Sequence, residues 1–245
     1  MPLKDILTSS LSKKGLTSVM ELRNYFREKG NEMEITKQGY LQQRKRLNPE
    51  VFTYLNDEYV KDFYQAGEAE LWNGYLLLAV DGSKAEIPNS QENREHFGSS
   101  GNQHAFGQAR ALVSSIYDTL NGFYLSMEIG HIASSETAQA KKESGAFGGD
   151  GSEQPVLMIF DRGYPALEFI DFLEKAGLRY LFRLSSNDYK AERKQVQGND
   201  AEIVLKHTWP RLAKILHKHP EKYEYMRKKK ETRTQFIPGS LPTGT

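Results

Sequence analysis

Apolar residues follow two successive rhythms along the chain, and each predicts its own kind of element. Over residues 1–70 they recur at helical spacing. Val19, Leu22, Tyr25 and Phe26 form one stripe, opened by a capping box of Ser18 and Glu21 and closed by Gly30. A second, polar helix is predicted from about Lys37 to Leu47, with Gln42, Gln43, Arg44, Lys45 and Arg46 along it. Asn48-Pro49 then supplies an N-cap and a first-turn proline for a third helix to about Tyr64.

From Trp72 the rhythm changes to strands. Leu76 to Val80 and Val156 to Phe160 are each five consecutive apolar residues, too uniform for a half-exposed strand and too short for a buried helix, so both predict central strands buried on two faces. Each run is followed at once by an aspartate, Asp81 and Asp161. The carboxyl ends of strands are where α/β sheets hold ligands, and two carboxylates brought to one edge can bind a divalent cation through oxygen. The bland alternative is that Asp81-Gly82-Ser83 is a turn and Asp161 a helix cap.

Between the two runs, Ala109 to Tyr117 and Phe123 to Ile129 predict a hairpin around Asn121-Gly122, and Ser134 to about Glu143 a short helix. Ile87 to Gly107 predicts a polar surface loop, and Gly145 to Gly151 a flexible link. Pro165 opens a helix carrying Leu167, Phe169, Ile170, Phe172 and Leu173, which Gly177 closes, and Tyr180 to Leu184 makes a last strand. This order, with an antiparallel hairpin beginning a mixed sheet, is that of a ribonuclease H-like core.

Composition narrows the chemistry. With 245 residues, 38% of them hydrophobic, the chain can bury one sizeable core and a small extra domain. No apolar run approaches the roughly 20 residues of a membrane helix, and the start has no apolar signal core, which predicts a cytoplasmic protein with no membrane partner. Without cysteine, any metal must be held by oxygen or imidazole, which favours magnesium or manganese. The net charge of +1 hides a balance of −7 over residues 1–178 and +8 over 179–245, and a basic block of that kind suits contact with a polyanion. The three amino-terminal helices, the middle one basic, resemble a helix-turn-helix arrangement in which Arg44, Lys45 and Arg46 meet DNA; a dimerisation or packing element is the alternative. Lys84 and Arg162, beside the aspartates, are candidates for DNA phosphates. His104 and His131 are expected to be ordinary polar residues, and Trp72 and Trp209 packing residues.

A specific resemblance rests on several separated motifs in order. Leu77-Leu78-Ala79-Val80-Asp81-Gly82-Ser83, Ile87-Pro88-Asn89, Phe97-Gly98, Ala109-Arg110-Ala111 and Tyr117-Asp118 resemble the first acidic block of bacterial insertion-sequence DDE transposases, in the branch named after insertion sequence four. Phe160-Asp161-Arg162-Gly163-Tyr164-Pro165, with Leu173, Gly177 and Tyr180-Leu181-Phe182-Arg183-Leu184, is similar to that branch's second block. The helical start from Ile35 to Glu50 resembles its amino-terminal region. The resemblance implies an enzyme that cuts and joins double-stranded DNA at transposon ends, with three acids holding two magnesium or manganese ions roughly 3.5–4 Å apart. Asp81 and Asp161 would be two of the three, both catalytic and metal-binding. It also implies self-association or association with a full-length copy, near the bacterial nucleoid.

The family's third acid is a glutamate in the spacing Tyr-x2-Arg-x3-Glu-x6-Lys. Here Arg227-x3-Glu231 keeps the middle, but Glu224 and Pro238 stand at the outer positions, and Glu231 adjoins the exposed basic run Lys228-Lys229-Lys230. The expectation is therefore a helical domain over 1–70, an α/β ribonuclease H-like core over 71–186 that is incomplete at its C-terminus, and the truncated start of a basic insertion over 187–245. Such a chain would be inactive or weak alone and would expose apolar surface. The alternative is a non-catalytic DNA-binding or regulatory fragment.

Overall fold

The computed structural model describes residues 1–31, 35–101, 107–147, 154–196 and 201–236. Its contacts divide the chain into Met1–Asp62 and Phe63–Thr245. The division falls inside a helix rather than near residue 70, because Phe63 and Tyr64 pack on Phe123 of the hairpin.

In the first unit, α1 (Leu3–Leu11), α2 (Ser18–Glu28) and α3 (Lys37–Lys45) close over Ile6, Leu22, Tyr25, Phe26 and Tyr40. Helix α1 is additional to the three predicted. The cap of α2 is Thr17 rather than Ser18: its hydroxyl accepts from the Met20 amide, and Glu21 reaches further back to the amides of Leu16 and Lys14. Thr36 caps α3 in the same way. Asn48 accepts from the Glu50 amide at the start of α4 (Glu50–Gln65), where Asn48-Pro49 predicted a helix start.

The second unit is built on a mixed sheet. In chain order it comprises β1 (Leu76–Glu86), α5 (Gln91–Phe97), β2 (Ser99–Ser100), β3 (Gln108–Asp118), β4 (Phe123–His131), α6 (Glu136–Ser144), β5 (Val156–Phe160), α7 (Leu167–Lys175) and β6 (Arg179–Phe182). The strands lie in the order β2-β3-β1-β5-β6, with β4 also paired to β3. β1 is antiparallel to β3 and parallel to β5, and β5 is parallel to β6. The polar stretch after β1 is partly ordered: Ser90 accepts from the Asn93 amide and so caps α5. Residues 102–106, and with them His104, lie outside the described residues, as does 148–153 of the glycine-rich link.

Alternation along the strands separates two faces. Leu76, Leu78, Val80, Met158 and Phe160 point to one face, where Ala140 of α6 and Phe169 and Leu173 of α7 cover them. Leu77, Ala79, Leu157 and Ile159 point to the other and are half-buried, while Leu181, Met127 and Ile129 on that face are exposed. Helix α7 starts two residues after Pro165. It ends in a Schellman motif, with Gly177 at φ +66° and the Leu178 amide donating to the Leu173 carbonyl.

The remaining elements, α8 (Lys190–Arg193), β7 (Ala201–Lys206), α9 (Trp209–Lys218), α10 (Pro220–Lys229) and β8 (Glu231–Phe236), belong to the same unit. Leu212, Leu216, Tyr223 and Met226 from α9 and α10 and Ile203 and Leu205 from β7 form a second core with Leu167 and Ile170 of α7. The basic run at the end of α10 is therefore not wholly solvated: Lys229 binds the buried carboxylate of Asp171 at 2.8 Å. Trp72 and Trp209 are 51% and 63% exposed, so neither is a packing residue, each lying at the margin of an element instead of on its apolar face. Among the described residues no helix is long and apolar enough to cross a membrane.

Candidate active site

Backbone register brings the two aspartates together. The parallel ladder of β1 and β5 pairs Leu76 with Val156 and continues to Val80 with Phe160. Asp81 and Asp161 are the next residue on each chain, just past the last pair of the parallel ladder, on strands about 4.8 Å apart; Asp161 follows the end of β5, whereas Asp81 lies within β1 rather than at the strand end or in the turn that the sequence allowed. β5 stops there, while β1 runs on to Glu86 against β3, with Asp81 opposite Ser115. The chain after Asp161 turns back at once, the Tyr164 amide donating to the Asp161 carbonyl.

Neither carboxylate is consumed by the fold. The Asp161 side chain is 59% exposed, and its nearest cation is Arg183, just past β6, at 3.9 Å. Asp81 has no hydrogen bond or ion pair among the described residues and is exposed. Lys84 is exposed three positions further along β1, and Arg162 is exposed beside Asp161. Arg44, Lys45 and Arg46 lie in the first unit, at the end of α3, where Arg44 is half-buried over the Tyr40 ring while Lys45 and Arg46 are exposed. His131 accepts from the Ala133 amide through Nδ1, an ordinary loop contact.

Three neighbours were not singled out from sequence. Arg183 lies within the second acidic motif but becomes relevant only once β6 is paired beside β5. Glu136, the first residue of α6, lies against Gly82: a methyl group on that glycine would stand 2.9 Å from Glu136 Cγ, and one on Gly163 would stand 4.0 Å from Glu136 Oε2. Tyr164 is 2% exposed, packed on Phe160 and Phe169, and its hydroxyl has no hydrogen-bond partner. Burial, followed by the charges of Glu136, Asp81, Glu143 and Asp161, pushes the Tyr164 phenol above its ordinary range.

The donor chemistry suits a hard divalent cation, since carboxylates are the ligands magnesium and manganese prefer. In number it falls short: among the described residues no three Asp, Glu, His or Cys side chains converge closely enough to hold an ion. Glu231 offers no completion, because it begins β8 opposite Lys206 and faces Arg233 at 3.8 Å.

The model of the transposase DDE domain matches residues 72–238, from just before β1 to just past β8. The chain belongs to that family. The match places the aspartate pair of this transposase-family chain inside the matched domain, together with the two helices packed on α7. No curated protein matches the chain in sequence. Solved structures similar to it include the piggyBac transposase synaptic complex with hairpin DNA, at 10% identity over 84% of this chain and 48% of that one, with a TM-score of 0.43. The Mos1 strand transfer complex follows at 10% identity over 92% and 77%, TM-score 0.32. A simian T-cell lymphotropic virus intasome in complex with a PP2A regulatory subunit gives 13% over 65% and 48%, TM-score 0.28. The chain thus spans about half the length of the piggyBac chain it matches, and the family assignment rests on the domain match rather than on these weak likenesses.

Proposed function

We propose that this chain is a transposase of a bacterial insertion sequence, in the branch named after insertion sequence four, that binds transposon-end DNA in the cytoplasm. Its ribonuclease H-like core performs metal-dependent strand cleavage and transfer. The observation that carries this is the register of the parallel ladder, which sets two exposed carboxylates side by side just past its last pair, Asp81 after Val80 and Asp161 after Phe160. Those two residues would hold magnesium or manganese. A bound ion would supply the charge that activates an attacking oxygen and stabilises a leaving one. Around it, Arg183 and Arg162 supply positive charge to phosphates, and Lys84 extends that charge along β1. Arg44, Lys45 and Arg46 give the amino-terminal unit a basic helix end for duplex DNA, and the chain acts as a self-associated assembly or with a longer copy.

Two aspartates alone are a thin ligand set, so cleavage by the isolated chain is expected to be weak. The missing convergence of a third acid favours a second reading, a DNA-binding or regulatory transposase fragment without chemistry of its own. Nicking of a duplex carrying the ends of the encoding element, with magnesium or manganese, separates the two. Under the first reading cleavage needs the cation and falls about a hundredfold or more in Asp81→Asn and Asp161→Asn. Binding that needs no cation, survives both substitutions together and is never followed by cleavage decides for the second.

A further inference from the structure

The register that aligns Asp81 with Asp161 stops one residue short of them. The last pair of the parallel ladder is Val80 with Phe160; beyond it β1 runs on against β3, while the other chain turns back after Asp161. Backbone pairing holds two strands together only as far as it extends. The separation of the two aspartate-bearing segments must therefore be set by something packed against both.

One side chain meets that description. Leu76, Leu78 and Val80 alternate onto the helix-covered face of β1, which puts Gly82 on that face and Asp81 on the opposite one. Glu136 lies over Gly82: a Cβ on that glycine would stand 2.9 Å from Glu136 Cγ, 3.3 Å from Cδ and 3.4 Å from Cβ. Its Oε2 is 4.0 Å from where Gly163, two residues after Asp161, would carry a Cβ. The side chain thus packs on the segment after one aspartate and reaches the segment after the other, and both glycines leave it room.

The helix that carries Glu136 is firmly held. Ser135 caps α6 by accepting from the Ala138 amide, Ala140 packs into the core, and Glu143 accepts from Ser114 of β3 and Ser126 of β4. Lys141 donates to the Glu168 carbonyl and the Tyr223 hydroxyl, both at 3.3 Å, which ties α6 to α7 and α10. The turn after Asp161 is anchored in the same core, through the Tyr164 ring on Phe160 and Phe169. A negative charge at a helix N-terminus is favoured by the macrodipole, which accounts for an acid at the start of α6 but not for the two glycines that admit it.

We infer that Glu136 is a positioning residue: by its bulk, and without touching the cation, it sets the spacing of the two segments that present Asp81 and Asp161. The inference rests on the metal-binding reading of the aspartate pair and adds to it the side chain that holds the pair in place.

Calorimetric titration of manganese chloride into the full chain tests this, with thermal unfolding in EDTA as the check of fold. Glu136→Gln keeps the bulk and loses the charge, and should bind manganese within about twofold of wild type. Glu136→Ala loses the bulk and should bind about tenfold more weakly. Gly82→Ala should also weaken binding, because its methyl displaces Glu136. Combined with Glu136→Ala it should bind more tightly than Gly82→Ala alone, since the methyl then takes up the vacated space, a recovery that a merely stabilising residue would not give. If Glu136→Gln weakens binding as much as Glu136→Ala, the charge and not the bulk matters and the inference is overturned. If Glu136→Ala binds like wild type while Asp81→Asn does not, only this inference is lost. If the wild-type chain binds no manganese, the aspartate-pair reading and this inference fail together. Should Glu136→Ala not fold in EDTA, Gly82→Ala and Glu136→Gln decide: weakening in the first with wild-type binding in the second upholds the inference, and wild-type binding by Gly82→Ala overturns it.

Discussion

The buried acids of the second unit and the acids around the end of its parallel ladder obey opposite rules. Asp118 accepts from Tyr64, Asn121 and the amides of Leu120 and Asn121, fixing the hairpin turn and the end of α4 to each other. Asp171 on α7 is met by Lys229, Tyr225 and Lys175, which tie α10 to α7. Glu143 takes two serine hydroxyls across the sheet. Every one of these carries its donors with it, as a buried charge must. Asp81 and Asp161 are exposed past the parallel ladder with one distant cation between them, and Glu136 is half-buried over Gly82 with no hydrogen bond or ion pair among the described residues. Structural acids are paid for inside the protein, whereas these three have had their partners left out, and that difference marks the site more clearly than acidity does.

The contrast can be broken in graded steps. Asp171→Ala should cost the most, about 3 kcal/mol, since it strips a fully buried hub and frees two lysines that can still reach solvent; urea unfolding measures it. Burial pushes the Asp171 carboxyl up, but the hydrogen bonds from Lys229, Tyr225 and Lys175 outweigh it and hold the group below its ordinary 3.8. A carboxyl depressed in the folded state stabilises above about pH 4 and loses that contribution as the pH falls further. Acid unfolding below pH 4 should therefore be less steep in Asp171→Asn than in wild type. Glu143→Ala should cost about 2 kcal/mol by leaving the fully buried Ser114 hydroxyl unpaired, and Tyr64→Phe about 1 kcal/mol. Asp81→Asn and Asp161→Asn should change stability in EDTA by less than about 0.5 kcal/mol, as surface substitutions do. A loss of 2 kcal/mol at either would place it with the structural acids and erase the distinction. Smallest of all, Lys84→Gln and Arg162→Gln should each lower the salt dependence of DNA binding by about one counterion without altering the fold, read from affinities at several salt concentrations.

Much of this was legible in the chain. The two uniform apolar runs gave the central parallel pair and, with it, the adjacency of Asp81 and Asp161, because register is set by the strands themselves. The Asn121-Gly122 hairpin and the Gly177 stop followed from local backbone chemistry. What escaped depended on packing between distant segments. The polar stretch after β1 hid α5, whose cap is the single serine Ser90. Residues 187–245 read as a basic stretch, and the sequence pattern did not reveal that Ile203, Leu205, Leu212, Leu216, Tyr223 and Met226 within it close a second core on α7. Glu136 has the look of an ordinary first-turn acid until α6 is laid against Gly82.

The aspartates owe their meeting to counting rather than to shape. Five ladder pairs precede them, and no side-chain fit is needed to align the two carboxylates. The site should therefore be tolerant of spelling and intolerant of length. Exchanging Leu77 for valine, or Ile159 for leucine, leaves the alignment intact. One codon gained or lost within 76–80 or 156–160 turns an aspartate from the rim toward the helix-covered face. Single-residue insertions and deletions in these two short runs are therefore the changes that would part the two carboxylates while every acidic residue stayed in the gene.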